Sequence, residues 1–470
     1  MYTSLIHKKK ISYFIDQKKF IKFFNQFEKS FNVPISVLVF EVKQLIARNF
    51  NFDSGKFPTI LKLRYFFFSS VKYFFFIIIV FLFSKKKKNY KVSIIFDDVD
   101  NNEMAARLIY LAKKFPSYSY IGKSELPRKY EYFNFNNFKN INSNILNFHL
   151  LKNIIFIFII SFYYSFRFRI NFVHIAFHLI KQTIKYKSIF SHIKAKYLFH
   201  ERYYLTSAIK NFLFKENGGL ITSCIQKNIH HLGRTGFFIG VDFFFSLGNK
   251  SFNKFYVKIT DSNIKKIIPV GSYYLEEKWL RAKKIETKLF DIVFLAGNSP
   301  LAFSTHESYT NDYIQSLLWL SQISKEMPFL KIAIKHHSNN NILLVDKFEK
   351  EIFENTSVSR IFSDNKNDLN YSYNVAFGSK LNLTWCSTMA YELLGHNKPC
   401  FFLDPGYRNF SFLGNLNFNK KWRISNYNSL RSIIKNVFVD KKIIKINNSD
   451  SFCLNSKKVS DSIFRNLNIY

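Results

Sequence analysis

The stretch from Leu381 to Pro405, LNLTWCSTMAYELLGHNKPCFFLDP, constrains the fold of this chain more than any other. It predicts a short apolar strand, then a helix that begins near Ser387 and ends at Gly395, and then a second apolar strand from Cys400 to Leu403. Two strands joined through a helix by tight loops are typical of a parallel sheet covered by helices. The chain is therefore expected to be an α/β protein.

The start of the predicted helix is the first candidate binding site. Ligands of open α/β sheets bind outside the carboxyl ends of the strands. A helix N-terminus at that edge offers a phosphate backbone N–H groups and the positive end of the helix dipole. We therefore predict that Ser387 and Thr388 bind phosphate. Glu392, about one turn further along, either reaches a ribose or sugar hydroxyl or pairs with a neighbouring lysine.

Three segments resemble GT-B-fold, sugar-nucleotide-dependent glycosyltransferases. The pattern S-T-x-x-x-E-x-L-x-x-x-K-P-x-x-x-x-D-P, from Ser387, is similar to their donor-binding helix and the strand after it. The run IAIKHH, from Ile332 to His337, resembles the strand and basic histidine motif of polysialyltransferase-like and glycerophosphate-polymerase-like enzymes. The run IIPVGS, from Ile267 to Ser272, resembles the segment that joins the two halves. The likeness covers mainly the second half, and Ser338 stands where those families usually have proline.

The resemblance implies two Rossmann-like domains that face each other across a cleft, preceded by a hydrophobic helical extension. We expect the extension in residues 1–90, the acceptor domain in 91–270 and the nucleotide-sugar domain in 271–470. The implied activity is sugar transfer in the synthesis of bacterial surface polysaccharides such as capsule or lipopolysaccharide. The implied nucleotide- and phosphate-binding residues are Gly297, Lys335, His336, His337, Ser387, Thr388 and Glu392.

Glycosyl transfer also requires a base for the acceptor hydroxyl. Candidates follow apolar strands in the first α/β domain, and they are Glu201, His230, His231 and Asp97. Asp98-Val99-Asp100 has the form of a metal-binding Asp-x-Asp motif, but GT-B enzymes generally dispense with that motif. We therefore expect no metal and no cofactor, with a nucleotide sugar as the donor substrate.

The formal net charge of +37 predicts an anionic partner. No zinc-finger, helix-turn-helix or RNA-recognition signature accompanies the lysine runs, so nucleic acid is not expected. The apolar stretch from Tyr65 to Phe83 instead leads into Lys85–Lys88, a pattern that fits an anionic membrane surface. The alternatives are a buried core helix or strand, and lysines that only keep a Phe-rich chain soluble.

A second apolar block, Asn153 to Phe166, is too short in sequence to cross a bilayer and is expected to be a core helix or a second membrane-facing patch. The four cysteines lack metal-ligand spacing and are expected to be reduced thiols. Together with the lack of a secretory signal, this places the predicted protein in the cytoplasm, peripheral at the inner face of the cell membrane.

Three function classes remain open from the sequence. The first is a glycosyltransferase, or a polyol-phosphate transferase, that acts on a growing polysaccharide or lipid-linked glycan. The second is a sugar-nucleotide epimerase of GT-B architecture, which would not need the hydrophobic extension. The third is a non-catalytic, membrane-bound protein that binds an anionic polymer.

Overall fold

A computed structural model describes residues 2–49, 63–83, 88–122, 132–134, 145–203, 206–227, 238–252, 254–276, 289–297, 307–336, 342–362, 371–385, 387–406, 420–447 and 453–469. The chain divides into two compact units. The first comprises Met1–Phe245, Phe252–Ile268 and Ser460–Tyr470, and the second comprises Ser246–Ser251 and Pro269–Val459. The division that we predict after residues 90 and 270 differs from this one, because the N-terminal helices belong to the first unit and the last helix returns to it.

The first unit is built on a seven-stranded sheet with the order β3-β2-β1-β4-β5-β6-β7. Its strands are β1 (Tyr90–Asp97), β2 (Tyr118–Gly122), β3 (Tyr132–Asn134), β4 (Ile193–His200), β5 (Ile221–Ile225), β6 (Gly240–Ser246) and β7 (Asn263–Pro269). Pairing is parallel from β3 through to β6. The chain leaves β1 toward β2 on one side and returns to pair with β1 through β4 on the other, so a topological switch point lies between β1 and β4.

In the part of the chain that the structure describes, nine helices of the first unit precede β7, and a tenth returns to the unit from the C-terminal end of the chain. The first nine are α1 (Tyr2–Ile15), α2 (Lys18–Phe31), α3 (Ile35–Asn49), α4 (Leu63–Phe83), α5 (Asn102–Ala112), α6 (Phe148–Phe168), α7 (Phe172–His192), α8 (Ala208–Glu216) and α9 (Lys254–Thr260). The buried residues of α2 lie on one side of the helix and are all aromatic: Phe20, Phe23, Phe24, Phe27 and Phe31. They join one aromatic core with α6 and α7.

The N-terminal helices also make buried polar contacts inside the first unit. The Glu41 carboxylate of α3 accepts hydrogen bonds from Ser207 Oγ at 2.7 Å and from the Ile209 N–H at 3.2 Å. Gln44 Oε1 accepts from the Ala208 N–H at 3.2 Å. Because the first N–H groups of a helix lack partners within it, α3 caps α8 and places a negative charge at its positive end. The extension is therefore an integral part of this unit.

The second unit contains a six-stranded, all-parallel sheet with the order β10-β9-β8-β11-β12-β13. Its strands are β8 (Ile292–Gly297), β9 (Ile332–His336), β10 (Ser359–Ile361), β11 (Leu381–Thr384), β12 (Cys400–Leu403) and β13 (Arg423–Ile424). Its longer helices are α10 (Glu307–Glu326), α11 (Ile342–Ile352), α12 (Tyr371–Gly378), α13 (Thr388–Gly395) and α14 (Tyr427–Phe438). The final helix, α15 (Val459–Asn468), lies mostly in the first unit.

The strand-helix-strand unit predicted from Leu381 to Leu403 is confirmed as β11, α13 and β12, with β11 and β12 parallel. One prediction about length is wrong. The block that we expect at Asn153 to Phe166 is a helix of 21 residues, Phe148–Phe168, and is long and apolar enough to cross a membrane. The helix begins at Phe148, five residues before the apolar block, and Asn147 caps it by accepting from the Leu150 N–H at 2.8 Å.

Candidate active site

The carboxyl ends of three strands meet at one edge of the second sheet. Leu295 of β8 is in register with Lys335 of β9 on one side and with Thr384 of β11 on the other. Adjacent strands are about 4.8 Å apart, so Lys335 and Thr384 are separated by roughly 10 Å. The chain leaves β8 toward β9 and later pairs β11 on the opposite side, which makes this edge a topological switch point where ligands of open α/β sheets bind.

The end of β11 is fixed against β8 just before the helix begins. Thr384 Oγ1 donates to the Leu295 carbonyl at 2.7 Å, and the Trp385 indole N–H donates to the Ala296 carbonyl at 2.6 Å. Ser387 then caps α13, because its Oγ accepts from the Met389 N–H at 3.2 Å. A capping hydroxyl still has its own proton to donate, so Ser387 can bind a phosphate oxygen while it caps the helix. The predicted phosphate-binding pair, Ser387 and Thr388, lies at this helix start.

Other predicted nucleotide-binding residues are buried and already have partners. The Lys335 ammonium donates to the carbonyl of His336 at 2.9 Å. The His336 imidazole lies 2.9 Å from the Glu349 carboxylate of α11 and stacks on Phe362, with ring centroids 4.5 Å apart. Glu349 also accepts from Tyr313 at 3.2 Å. His336 therefore ties the end of β9 to the helices that cover it.

Glu392 is 3% exposed, and the partners that the structure gives its carboxylate are two hydroxyl groups. Its carboxylate accepts hydrogen bonds from the Ser272 hydroxyl and, at 2.8 Å, from the Tyr373 hydroxyl. Burial raises the pKa of this carboxyl, and both hydrogen bonds lower it by a smaller amount. Glu392 thus joins α13 to the segment at Ser272, which is the segment that we predict to open the second half of the chain.

The remaining predicted nucleotide-binding residues are placed as follows. Gly297 ends β8 and is in register with His336 at the same edge. His337 lies outside the described residues, as do the two predicted catalytic histidines, His230 and His231. Their roles stay predictions.

A buried charged cluster lies at the switch point of the first sheet. Asp97 ends β1 and is in register with His200, which ends β4. The His200 Nδ1 lies 2.8 Å from Asp97 Oδ2, and the Lys210 ammonium of α8 contacts the same oxygen. All three side chains are at most 2% exposed. Two strand ends and one helix therefore bring an acid and two bases together.

The His200 ring is held on both sides by polar contacts. The Asn211 amide donates to the Gly240 carbonyl at 2.6 Å, which turns its Oδ1 toward His200 Nε2 at 2.8 Å. Both ring nitrogens thus face oxygen atoms, which fixes the orientation of the ring. The cluster holds two carboxyl groups beside an imidazole and an ammonium.

The neighbouring carboxyl groups of this cluster differ in acidity. Burial raises the pKa of Asp97, but the Lys210 ammonium and the His200 contact outweigh burial and hold that pKa well below its ordinary value. Burial and the charge of Asp97 raise the pKa of Asp98 to about 6. Burial lowers the pKa of Lys210, but Asp97 and Asp98 together raise it well above the ordinary value. Asp97 is therefore a fixed anion, whereas Asp98 can accept and release a proton near neutral pH.

Asp98 has the geometry of a strained strand end. Its φ of 61° lies in the left-handed region, which Asp adopts more readily than most residues other than Gly. Its Oδ2 is buried without a hydrogen-bond partner and lies 3.8 Å from Lys210 Nζ. The carboxyl is thus held next to the cluster while one oxygen keeps its hydrogen-bonding capacity.

Two further acidic side chains, Glu201 and Asp100, lie beside the cluster. Glu201 follows His200, is 2% exposed, and has a carboxylate 3.4 Å from the Arg202 guanidinium. The same arginine lies 3.4 Å from the Asp100 carboxylate. Asp98 and Asp100 therefore face different cations, Lys210 and Arg202, and do not form one Asp-x-Asp ligand pair.

Ligand atoms of Asp97, Asp98 and His200 in the first cluster lie within 4.8 Å of one another, a spacing that would suit a metal ion. Lys210 Nζ already contacts Asp97 and lies near Asp98. The ammonium thus occupies the position between the carboxylates that a cation would take.

Two members of this cluster, His200 and Lys210, are not among the predicted site residues. Lys210 is one of many lysines and lies in the first turn of α8, more than a hundred positions after Asp97. His200 ends an apolar strand in the same way as Asp97, and that shared position is the signal that could have identified it.

Neither a protein-family model nor a curated protein sequence matches the chain. Solved structures do. S. aureus MnaA in complex with UDP is 11% identical over 80% of this chain and 96% of its own, with a TM-score of 0.50. A protein from Listeria monocytogenes, provisionally described as a UDP-N-acetylglucosamine 2-epimerase, is 10% identical over 80% and 95%, also at 0.50. The wall teichoic acid polymerase TagF is 12% identical over 87% and 98%, at 0.44.

At this level of identity the likeness shows the fold. The chain has the GT-B fold, with two parallel-sheet α/β domains and a helical N-terminal region, as the sequence predicts. The membership of a polysialyltransferase-like family is not established by these comparisons.

Proposed function

We propose that this chain is a glycosyltransferase that moves a sugar, or a polyol phosphate, from a nucleotide-activated donor to a surface polysaccharide or a lipid-linked glycan. The observation that carries the proposal is the meeting of the ends of β8, β9 and β11 with the Ser387-capped start of α13. A helix N-terminus at a switch point is suited to the diphosphate of a nucleotide. S. aureus MnaA, which shares the fold, binds UDP, and this supports a nucleotide ligand.

The first unit supplies the base in this proposal. Asp97 is held as an anion by Lys210 and His200, so it is poorly suited to take up a proton. Its neighbour Asp98 has a pKa of about 6, which suits a general base that works near neutral pH. We therefore favour Asp98 over the predicted candidates Asp97 and Glu201, and His230 and His231 remain alternatives.

In the proposed transfer, the acceptor oxygen bonds to the anomeric carbon and loses its proton to the Asp98 carboxylate. The bond from that carbon to the donor phosphate oxygen breaks, and the nucleoside diphosphate leaves with the electron pair. The N-terminus of α13 stabilises the charge that develops on the phosphate. No metal ion is required, because backbone N–H groups and the Ser387 hydroxyl provide the donors.

An epimerase is the second candidate, and one observation favours it. The first cluster groups the Asp98 carboxyl, which can take up a proton near neutral pH, with the N–H-bearing side chains of His200 and Lys210. Removing a proton from a sugar carbon and returning one to it needs both kinds of group.

Product analysis with purified protein separates these functions. UDP binding would first be measured by calorimetry, and a panel of nucleotide sugars would then be incubated with and without a glycan acceptor, in the presence of EDTA. Release of nucleotide that depends on the acceptor supports the transferase. Conversion of the donor into an isomer without acceptor identifies the epimerase, and lack of binding by every nucleotide would contradict both.

A further inference from the structure

Two apolar helices of the first unit pack against each other in opposite directions. The Tyr73 hydroxyl of α4 donates to the Ile154 carbonyl of α6 at 2.8 Å. At the other end, the Phe66 ring lies 5.1 Å from that of Phe162 and 5.2 Å from that of Phe166. Residues earlier in α4 thus contact residues later in α6, so the two helices are antiparallel neighbours.

Each helix buries only one narrow stripe. The stripe of α4 contains Phe66, Ser69, Tyr73, Phe76 and Val80, and that of α6 contains Ile154, Ile157, Ser161 and Ser165. These spacings of three and four residues define one side of a helix. Only 28% of the residues in the apolar core of α4, and 22% of those in α6, are buried.

The other sides expose large apolar residues, which together form what we call the α4–α6 face. On α4 they are Tyr65, Phe67, Phe68, Phe74, Phe75, Ile78 and Leu82, and on α6 they are Phe148, Ile155, Phe156, Ile159, Phe162, Tyr163 and Phe166. Several are more than half exposed, for example Phe67 at 66% and Ile159 at 60%. Exposed patches of this extent mark interaction sites with membranes or proteins.

Charge around the face selects an anionic membrane as the partner. Neither helix contains an acidic residue, and no Asp or Glu occurs between Asp53 and Asp97 or between Glu131 and Glu201. Exposed cations border the apolar side chains, at Lys72, Lys152, Arg167 and Arg169. The Arg167 guanidinium lies over the Tyr163 and Phe168 rings, 5.7 and 5.6 Å from their centroids. Basic and aromatic side chains in this arrangement are typical of the lipid headgroup layer.

The neighbouring helix α2 limits the orientations in which the α4–α6 face can contact a bilayer. It runs along α6, because the Phe23 ring lies 6.1 Å from that of Tyr164 and the Asn153 amide donates to the Ser30 carbonyl at 2.7 Å. The opposite side of α2 exposes Lys18, Lys22 and Lys29. If α6 crossed a bilayer, these lysines would lie in the hydrocarbon, which is costly for charged side chains.

We propose that the α4–α6 face inserts into one leaflet of an anionic bilayer and that both helices lie in the membrane plane without crossing it. This goes beyond the sequence prediction, which assigns the membrane contact to Tyr65–Phe83 and its trailing lysines, leaves Asn153–Phe166 open between a core helix and a second membrane-facing patch, and does not say how the two lie in the bilayer. It is also independent of the reaction catalysed, since it rests on α2, α4 and α6 alone.

The first experiment measures flotation of the full chain with vesicles of phosphatidylcholine, with or without phosphatidylglycerol. The wild type is expected to float with the anionic vesicles. A variant with Phe67→Gln, Phe74→Gln, Ile159→Gln and Tyr163→Gln should bind them at least about tenfold more weakly, because the apolar area that enters the lipid is reduced. The control, Leu318→Gln with Phe329→Gln, removes residues that are 44% and 63% exposed elsewhere and should bind like the wild type.

The second experiment measures depth. A fluorophore is attached through Phe156→Cys on the face or through Lys22→Cys on α2, in a chain whose native cysteines are replaced by serine. Lipid-borne quenchers should quench the label at position 156 and leave that at position 22 in water. Circular dichroism confirms folding of each variant.

Three results would overturn the proposal. The wild type could fail to float, or the face variant could float as well as the control. The label at position 22 could be quenched by lipid, which would indicate crossing. Light scattering could show a dimer that the face variant alone dissociates, in which case a second copy of the chain covers the face.

Discussion

His200 Nδ1 lies 2.8 Å from Asp97 Oδ2, and the two residues are in register at the ends of neighbouring strands. The pair is the centre of the charged cluster at the switch point of the first sheet. Because Lys210 contacts the same carboxylate oxygen, the stability of the cluster depends on a cation supplied by α8. The predictions below begin with this dependence.

Lys210→Met is expected to lower the free energy of unfolding by about 3–5 kcal/mol, because it leaves a buried carboxylate without its ammonium partner. The matched control on the same helix is Lys215→Met. Lys215 pairs with Asp242 at 2.6 Å but is 36% exposed, and Lys265 also contacts Asp242, so this change should cost only about 0–1 kcal/mol. Urea denaturation of both variants measures the difference. Equal losses would show that burial of the Lys210 pair carries no special weight.

Asp98→Asn tests the proposed base. It should reduce kcat by about 10²- to 10⁴-fold and leave the Kd of the nucleotide unchanged, because the base does not contact the donor phosphate. In the wild type, the rate should rise as the pH increases through about 6 and then level off, since the carboxylate is the active form. Asp100→Asn, which removes the neighbouring partner of Arg202, is the control. Normal turnover of Asp98→Asn would show that Asp98 is not the base and would leave Glu201, His230 and His231 as the candidates.

Ser387→Ala tests the phosphate site. Loss of the cap should cost about 1 kcal/mol of stability, and nucleotide affinity should fall because a hydroxyl donor is lost as well. Asn426→Ala removes the cap of α14, where Asn426 Oδ1 accepts from the Ser429 N–H at 2.8 Å. It should show a similar loss of stability with unchanged affinity. Calorimetric titration with UDP compares them, and a drop in affinity shared by both variants would rule out a specific role for Ser387.

Gly271→Ala should be more destabilising than Gly218→Ala. Both glycines have positive φ, 100° and 90° respectively, so an alanine is strained at either position by about 1 kcal/mol. At Gly271 the added methyl would also approach Ser456 Oγ and two carbonyl oxygens at 3.1–3.2 Å, whereas nothing lies within 4 Å at Gly218. Thermal melting of the two variants isolates this crowding. Equal shifts in Tm would mean that the segment around Ser456 moves aside without cost.

His396→Gln should make stability less sensitive to mild acid. Burial, with a smaller contribution from Lys457, lowers the pKa of His396 from 6.5 to about 4. The unfolded chain therefore takes up a proton first, and the stabilisation present above pH 6.5 is lost as the pH falls toward 4. Glutamine can still accept the hydrogen bond that the Ser456 N–H makes to His396 at 3.0 Å, but it does not titrate. Denaturation at pH 7 and pH 5 should show a larger loss for the wild type, and parallel losses would contradict the assignment.

Local pattern was sufficient to predict the elements whose signal is continuous in sequence. The predicted strand from Cys400 to Leu403 is β12, and the predicted helix from Ser387 to Gly395 is α13 with Ser387 as its cap. In these elements a strand alternation or a helical period is complete within one segment, so no distant residue has to be known. The edge formed by β8, β9 and β11 followed from the same patterns, because carboxyl ends of parallel strands share one side of a sheet.

The sequence could not predict the partners that distant segments supply. Glu392 has lysines as near neighbours in sequence, yet its carboxylate binds Ser272, which is 120 positions away. The Asp97–Lys210 pair and the cap that Glu41 provides for α8 are similar, with separations of 113 and about 168 positions. Such pairs form because whole helices and strands pack together, and the residues that flank them in sequence do not predict them. The length of α6 was underestimated for a related reason. Only its apolar core was recognised in the sequence, whereas its ends depend on packing and on the cap at Asn147.

The return of α15 to the first unit has a consequence for biosynthesis. Phe464 packs on Phe115 with ring centroids 5.1 Å apart, and Asp461 lies 2.5 Å from the Lys114 ammonium. These residues leave the ribosome only after the whole second sheet has been translated. The first unit is thus begun first and completed last, so a nascent chain that is released early would carry a second sheet with all its strands and a first domain still lacking its final helix.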